Sequence, residues 1–189
     1  MINKDLQVIG ICGSLRKQSY NKKLIEMASI LLPEGTTFTL ADYSKLPLFN
    51  EDIEDPFPIE ATRFKRIVES ADVLLISTPM YNSSISGVLK NAIDWLTRPM
   101  GSNSLNGKVA AIMGATPGFS GTVNAQAHLR EILTALNVIV VPQPMVYISE
   151  VNTKIDIEGS LVLDSIEQEP LQKLINRVIE LTNALRTEY

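Results

Sequence analysis

Five apolar runs, each too short for a helix, alternate along this chain with stretches that carry a helical apolar face. This alternation constrains the fold more than any other feature. The runs span residues 6–12, 36–40, 73–78, 109–114 and 138–141, most of them rich in Val, Ile or Thr, and they read as strands. Between them, Leu24, Ile25, Ala28, Leu31 and Leu32 share one helix face, as do Val88, Leu89, Ala92, Ile93 and Leu96, and then Leu129, Ile132, Leu133 and Leu136. A weaker helical pattern covers 59–70, and Leu171, Leu174, Ile175, Val178, Leu181 and Leu185 mark a final helix. No strand follows another directly, which argues against a hairpin meander and predicts an α/β domain, a parallel sheet with helices on both faces. Right-handed crossovers leave few topologies, and the usual five-stranded solution is the order 2-1-3-4-5. A Rossmann-type sheet truncated to five strands is the alternative.

At 189 residues, 45% hydrophobic and 20% charged, the chain is expected to form one domain over 1–189. A net charge of −4 and a pI near 5.1 argue against nucleic-acid binding, because phosphate backbones are held by Lys and Arg, here outnumbered by acids. A small molecule or another protein is the expected partner. The start of the chain lacks the pattern of a secretory signal, no stretch is long enough to span a bilayer, and the single Cys12 allows no intrachain disulfide and no cysteine cage for a metal. The expected address is the cytoplasm. Residues 46–58, 98–107 and 149–165 read as surface loops.

In an open parallel sheet a ligand binds beyond the carboxyl ends of the strands where strand order reverses, so the loops after the first, third and fourth runs carry the chemistry. The first, Gly13-Ser14-Leu15-Arg16-Lys17-Gln18-Ser19-Tyr20-Asn21, leads straight into a helix. Ser14, Ser19 and Asn21 offer hydroxyl and amide groups, Arg16 a forked cation, and the helix start unpaired N–H groups, a set suited to a phosphate monoester. It is neither a G-x-G-x-x-G fingerprint nor a G-x-x-x-x-G-K-[ST] loop. The plainer alternative makes Ser19 or Asn21 a helix cap and Arg16, Lys17, Lys22 and Lys23 a solvated face. After the third run, Thr78-Pro79-Met80-Tyr81-Asn82-Ser83-Ser84 supplies a flat apolar ring and an amide, able to stack on and hydrogen-bond a planar heterocycle. After the fourth, Ala115-Thr116-Pro117-Gly118 opens a stretch of small residues whose main chain a ring can approach. Either segment alone reads equally as an ordinary strand-to-helix turn.

Together these segments resemble the NADPH-dependent FMN reductase family, in its branch of chromate, quinone and azo-dye reductases. Residues 13–21 are similar to that family's G-S-L-R-x-x-S-x-N phosphate loop. Thr78 to Asn82 with Gly87-Val88-Leu89-Lys90-Asn91-Ala92-Ile93-Asp94-Trp95 is similar to its T-P-E-Y-N…G-V-L-K-N-A-I-D-W signature. The resemblance implies a flavodoxin-like three-layer sandwich. In it Ser14, Arg16, Ser19 and Asn21 hold the FMN phosphate, Pro79, Met80, Tyr81, Asn82 and Ser83 line the ribityl chain and isoalloxazine, and Ala115, Thr116, Pro117 and Gly118 edge the pyrimidine end. Met80 stands where the family often has Glu, and Thr122 where it has a second Gly.

The same resemblance implies a ping-pong oxidoreductase in which NADPH or NADH donates a hydride through FMN to a quinone, azo compound, free flavin or oxidised metal ion, in a homodimer or homotetramer. No side-chain acid or base is required and no metal site is expected. The competing readings are an electron carrier of the flavodoxin kind and a flavin-dependent regulatory module. His128, the only histidine, falls within a helix and reads as a surface or subunit-contact residue, while Cys12 and Trp95 read as packing groups.

Overall fold

The computed structural model describes residues 6–186; the reading of the first five residues and the ends of a domain over 1–189 lie outside them. Strands β1 (Leu6–Cys12), β2 (Thr36–Leu40), β3 (Val73–Ser77), β4 (Val109–Ala115), β5 (Ile139–Val140) and β6 (Val146–Ile148) alternate with helices α1 (Tyr20–Ile30), α2 (Ile59–Glu69), α3 (Gly87–Leu96) and α4 (Val123–Ala135), and α5 (Ser165–Arg186) closes the chain. All pairings are parallel, and the order is β2-β1-β3-β4-β5, with β6 also on β4. The flavodoxin-like order expected from the alternation is the one observed.

The sixth strand was not expected. It fills the same edge as β5: β5 pairs with the start of β4 (Val109↔Ile139, Ala110↔Val140), and β6 with its end (Met113↔Val146, Gly114↔Tyr147, Ala115↔Ile148). Pro142 and Pro144 lie between them, and with no N–H to give a ladder they split one edge strand into two short pieces.

The sheet separates two cores because successive side chains point to opposite faces. Val8, Cys12, Val73, Leu75, Val109, Ala111 and Met113 face α1 and α5, where Leu24, Ile25, Leu174 and Val178 are buried. Ile9, Ile11, Leu74, Ile76, Ala110 and Ile112 face α2, α3 and α4, where Phe64, Leu89 and Leu129 are buried. Each fully buried Leu or Ile contributes about 1.5–3 kcal/mol, so two-sided burial is what demands apolar residues at nearly every position of β3 and β4. Both termini of this arrangement serve the site: the strands point their carboxyl ends at one rim, and helices start there.

Candidate functional site

The three loops are fastened to one another before any ligand is considered. Gly13 donates its N–H to Ser77 C=O at 2.7 Å, and its own C=O accepts the Ser86 hydroxyl at 2.5 Å. A Cβ on Gly13 would stand 3.2 Å from Pro79 Cδ and from Ser77 O, so a glycine lets the turns after β1 and β3 touch. Ser86 also caps α3 by accepting the Leu89 N–H at 3.2 Å. Asn21, buried on α1, ties in the third loop: its Oδ1 accepts the Ser77 hydroxyl at 2.8 Å and the Ala115 N–H at 2.9 Å, and its Nδ2 donates to Ala115 C=O at 2.9 Å. Gly114 is equally constrained, since a Cβ there would lie 2.2 Å from Thr122 Oγ1 and 2.4 Å from Thr78 O.

This fastening occupies several residues that the sequence offers as ligand contacts. The Asn21 carboxamide and the Ala115 main chain are spent on each other. Ser19 is buried and caps α1, its hydroxyl accepting the Lys22 N–H at 3.2 Å. Pro79 is buried against Gly13. Met80 packs its side chain on the core of the α2–α4 layer, because an apolar thioether gains by leaving water where a carboxylate would not. What remains open on the rim is a narrower set. Ser14 is half-buried, its hydroxyl accepting the Arg16 N–H at 3.3 Å, while the amides of Leu15, Lys17, Gln18 and Ser19 donate to no protein atom among the described residues. The Arg16 guanidinium donates to Gln18 C=O at 3.1 and 2.6 Å and lies 4.8 Å from the Tyr20 ring centroid. Tyr81 is 53% exposed. Asn82 and Ser83 take positive φ (48° and 62°) in a tight turn closed by reciprocal main-chain bonds of 3.0 Å between Tyr81 and Ser84. Thr116 is half-buried, and Pro117 and Gly118 are exposed; β6 and the turn that follows it hold this segment, through Thr116 N–H to Ile148 C=O at 2.9 Å and Val151 N–H to Thr116 C=O at 3.2 Å.

Tyr43 escaped the sequence reading, and the site roles of Cys12, Asn91, Trp95 and His128 go beyond it. Tyr43, after β2, donates its buried hydroxyl to Cys12 C=O, and burial pushes its phenol above the ordinary range. Burial likewise raises the Cys12 thiol, an effect partly offset by a hydrogen bond with the Ser19 hydroxyl. Asn91 holds the loop over 46–58, accepting Phe49 N–H at 2.6 Å and donating to Pro47 C=O at 2.9 Å, and Trp95 Nε1 donates to the same carbonyl at 2.9 Å. Phe49 and Phe57 meet the Trp95 ring edge-on at 5.2 and 5.5 Å. The loop so held walls a cavity of about 450 Å³ bounded by Leu15, Tyr43, Leu46, Leu48, Tyr81 and Val88. His128 is not remote from this rim: its Nδ1 lies 3.0 Å from Ser84 Oγ at the end of the Tyr81 turn. Asn82 was the one readable sign of that turn, since Asn tolerates left-handed backbone.

The open donor set suits a phosphate monoester: unpartnered amides at a helix start, a hydroxyl and a forked cation. The exposed tyrosine, the main-chain turn beside it and the Thr116–Gly118 edge suit the flat, polar-rimmed ring system of a flavin mononucleotide. Among the described residues there is no cluster of metal-ligating side chains and no helix long and apolar enough to cross a membrane. A parallel sheet of this order with such a rim defines a flavin-binding oxidoreductase class, and comparison with known proteins assigns it further. The sequence model of NADPH-dependent FMN reductase matches residues 6–153, and the chain belongs to that family. It is therefore a flavin-dependent enzyme that draws electrons from NAD(P)H. An NAD(P)H-dependent FMN reductase of Pseudomonas aeruginosa is 44% identical over 174 residues, covering 92% of this chain and 94% of that one. A 2-hydroxy-1,4-benzoquinone reductase of a Burkholderia species is 41% identical over 157 residues, 83% of this chain and 86% of the relative. The solved structure of FerB, a flavoenzyme NAD(P)H:(acceptor) oxidoreductase from Paracoccus denitrificans, superimposes with a TM-score of 0.83 at 33% identity, covering 95% of this chain and 98% of that one.

Proposed function

We propose that this chain is an FMN-dependent quinone reductase: NAD(P)H, a proton and a quinone give NAD(P)⁺ and the hydroquinone. The observation that carries the reading is the fastening of the three loops through Gly13 and Asn21, which brings the phosphate-type donors, the Tyr81 turn and the Thr116–Gly118 edge onto one rim. Ser14, Arg16 and the amides of residues 15 and 17–19 take the FMN phosphate; Tyr81, Asn82 and Ser83 flank the ring; Thr116, Pro117 and Gly118 edge its pyrimidine end. The Ser19 side chain, Asn21, Pro79, Met80 and Ala115 work from behind as positioning groups.

Bound FMN supplies hydride acceptance and the return of electrons in pairs or singly. The chain's own part is to hold donor and acceptor in turn over one open face of the rim, which makes the cycle ping-pong and admits azo compounds, free flavin and oxidised metal ions as further acceptors. The relative named as a 2-hydroxy-1,4-benzoquinone reductase supports quinones as the principal class. The working form is a single-domain subunit in a homodimer or homotetramer in the reducing cytoplasm, where Cys12 stays a buried thiol. Anaerobic rapid mixing tests the proposal. NADPH or NADH bleaches the flavin absorbance with no partner protein, and a benzoquinone then restores it within the turnover time. Bleaching that needs a second enzyme contradicts it.

A further inference from the structure

Four residues other than glycine take positive φ among the described residues: Asn82, Ser83, Asn137 and Glu150. The first two build the turn at Tyr81, and Asn137 follows the end of α4, where a left-handed asparagine is an ordinary stop. Glu150 has no such account. It stands in the left-handed region (φ 48°, ψ 33°) just after β6, where a Cβ crowds the following carbonyl and glycine fits without strain, as Gly121 does (φ 59°) in the loop after β4. A strained residue where a glycine would serve points to a use for its side chain. We propose that the Glu150 carboxylate sits at the pyrimidine end of FMN, accepting the ring N3–H and opposing the negative charge that reduction brings to N1 and the C2 carbonyl, so that it lowers the reduction potential of the bound flavin. The inference rests on the function proposed above and adds a residue that sets how strongly the flavin reduces its acceptor.

The strained turn is docked on the third loop. Glu150 N–H donates to Gly118 C=O at 3.4 Å and Val151 N–H to Thr116 C=O at 3.2 Å, which fixes the start of the Glu150 side chain beside the main chain that edges the ring. The Glu150 C=O accepts Thr153 N–H at 2.9 Å and the Thr153 hydroxyl at 2.8 Å, so its main chain is held on both sides and only its side chain is free to meet a ligand. The carboxylate is exposed, accepts no hydrogen bond and makes no ion pair among the described residues. Lys154, the next cation along the chain, is committed to Glu167 at 3.0 Å. The negative charge at this end of the rim is therefore uncompensated, and near a protein surface it acts through a medium less polar than bulk water. A fixed charge close to N1 is one of the few levers by which a protein tunes a flavin. A lower potential leaves more driving force for passing electrons on to a quinone.

The test compares the FMN-loaded parent with Glu150→Gln, which keeps shape and strain but removes the charge, and with Glu150→Gly, which removes strain and side chain together. Anaerobic reduction against a reference dye reads the potential, and titration of each apoprotein with FMN reads the affinity. In Glu150→Gln the preference for reduced over oxidised flavin is expected to rise about tenfold, which for a two-electron couple is an upward shift of about 30 mV. Oxidised FMN stays bound within about threefold of the parent, because the amide oxygen still accepts from N3–H. Glu150→Gly gives the same upward shift, binds oxidised FMN about tenfold more weakly, and melts no lower than the parent because the left-handed backbone is relieved. An unchanged or lowered potential in Glu150→Gln overturns the proposal. So does a Glu150→Gly chain that melts well below the parent with its potential unmoved, which assigns Glu150 to the fold. A parent chain that takes up no FMN defeats the proposed function and this role with it, whereas FMN uptake with a potential indifferent to residue 150 defeats this role alone.

Discussion

Asn21 clasps both ends of one residue 94 positions away: its Nδ2 donates to Ala115 C=O and its Oδ1 accepts Ala115 N–H, each at 2.9 Å. The same Oδ1 accepts the Ser77 hydroxyl at 2.8 Å, so one carboxamide ties α1 to the carboxyl ends of β3 and β4.

Asn21→Ala strands a buried N–H, a buried C=O and a buried hydroxyl at once. The expected loss of stability is about 2–4 kcal/mol, since each unsatisfied buried group costs roughly 1–3 and water recovers part of it. Urea unfolding measures the loss, and flavin fluorescence should show weaker FMN binding in the same variant. A change in stability below about 0.5 kcal/mol contradicts the positioning role.

Arg16→Ala separates binding from folding. The side chain is exposed and bonds only to Gln18 C=O and the Tyr20 face, so stability should change little. FMN affinity should fall by about 1.5–3 kcal/mol, the worth of hydrogen bonds to a charged group. Titration of apoprotein with FMN decides this, and unchanged affinity removes Arg16 from the site.

Gly114→Ala should unfold the rim rather than tune it. Thr122 can rotate away from a new methyl, but the Thr78 carbonyl 2.4 Å off is main chain of the adjoining strand end and cannot. Overpacking of this kind costs about 1–3 kcal/mol or more, and Gly114→Ala combined with Thr122→Gly should recover only part of it. Thermal melting of the two variants gives the comparison.

Tyr43→Phe has a pH signature. Burial raises the Tyr43 phenol above its ordinary value of 10.0, so the folded chain keeps a proton that the unfolded chain releases. The stabilisation linked to that proton is fully present below pH 10.0 and is lost as pH rises toward the folded value. The variant should be less stable near neutrality by about 1–2 kcal/mol, because Cys12 C=O loses its donor, yet its stability should decline less steeply above pH 10.0. Lys65 and Lys108, whose burial lowers their pKa values, tilt the profile the opposite way in both proteins and cancel in the difference. Parallel alkaline profiles for the two chains contradict the linkage.

How much of this was legible in the sequence follows from the range of the interactions. Strands β1, β3 and β4 announce themselves because both faces are buried and nearly every residue must be apolar. The edge segment β6 does not, because three residues, Val146–Ile148, between prolines and a polar stretch carry no period of their own and are held by β4 alone. At the site, residue types were readable and their directions were not. Ser14 and Arg16 stand on the open rim, whereas Asn21 and Met80 turn inward, and that choice depends on Ser77, Ala115 and the α2–α4 core, contacts no local pattern encodes. Asn91 and Trp95 belong to the segment that signals the family, and the structure shows them bracing the 46–58 loop through Pro47 and Phe49.

The claim on which the account stands is that FMN is held at the rim built by the loops after β1, β3 and β4. Backbone amide chemical shifts, followed as FMN is added to the apoprotein, test it most directly. The account predicts saturable shifts concentrated at residues 13–19, 79–84 and 115–121, with none at the apolar groove of about 500 Å³ between α1 and α5 that Met27, Ile30, Leu31 and Leu171 line. Shifts centred on that groove, or no saturable shifts at the rim, contradict it.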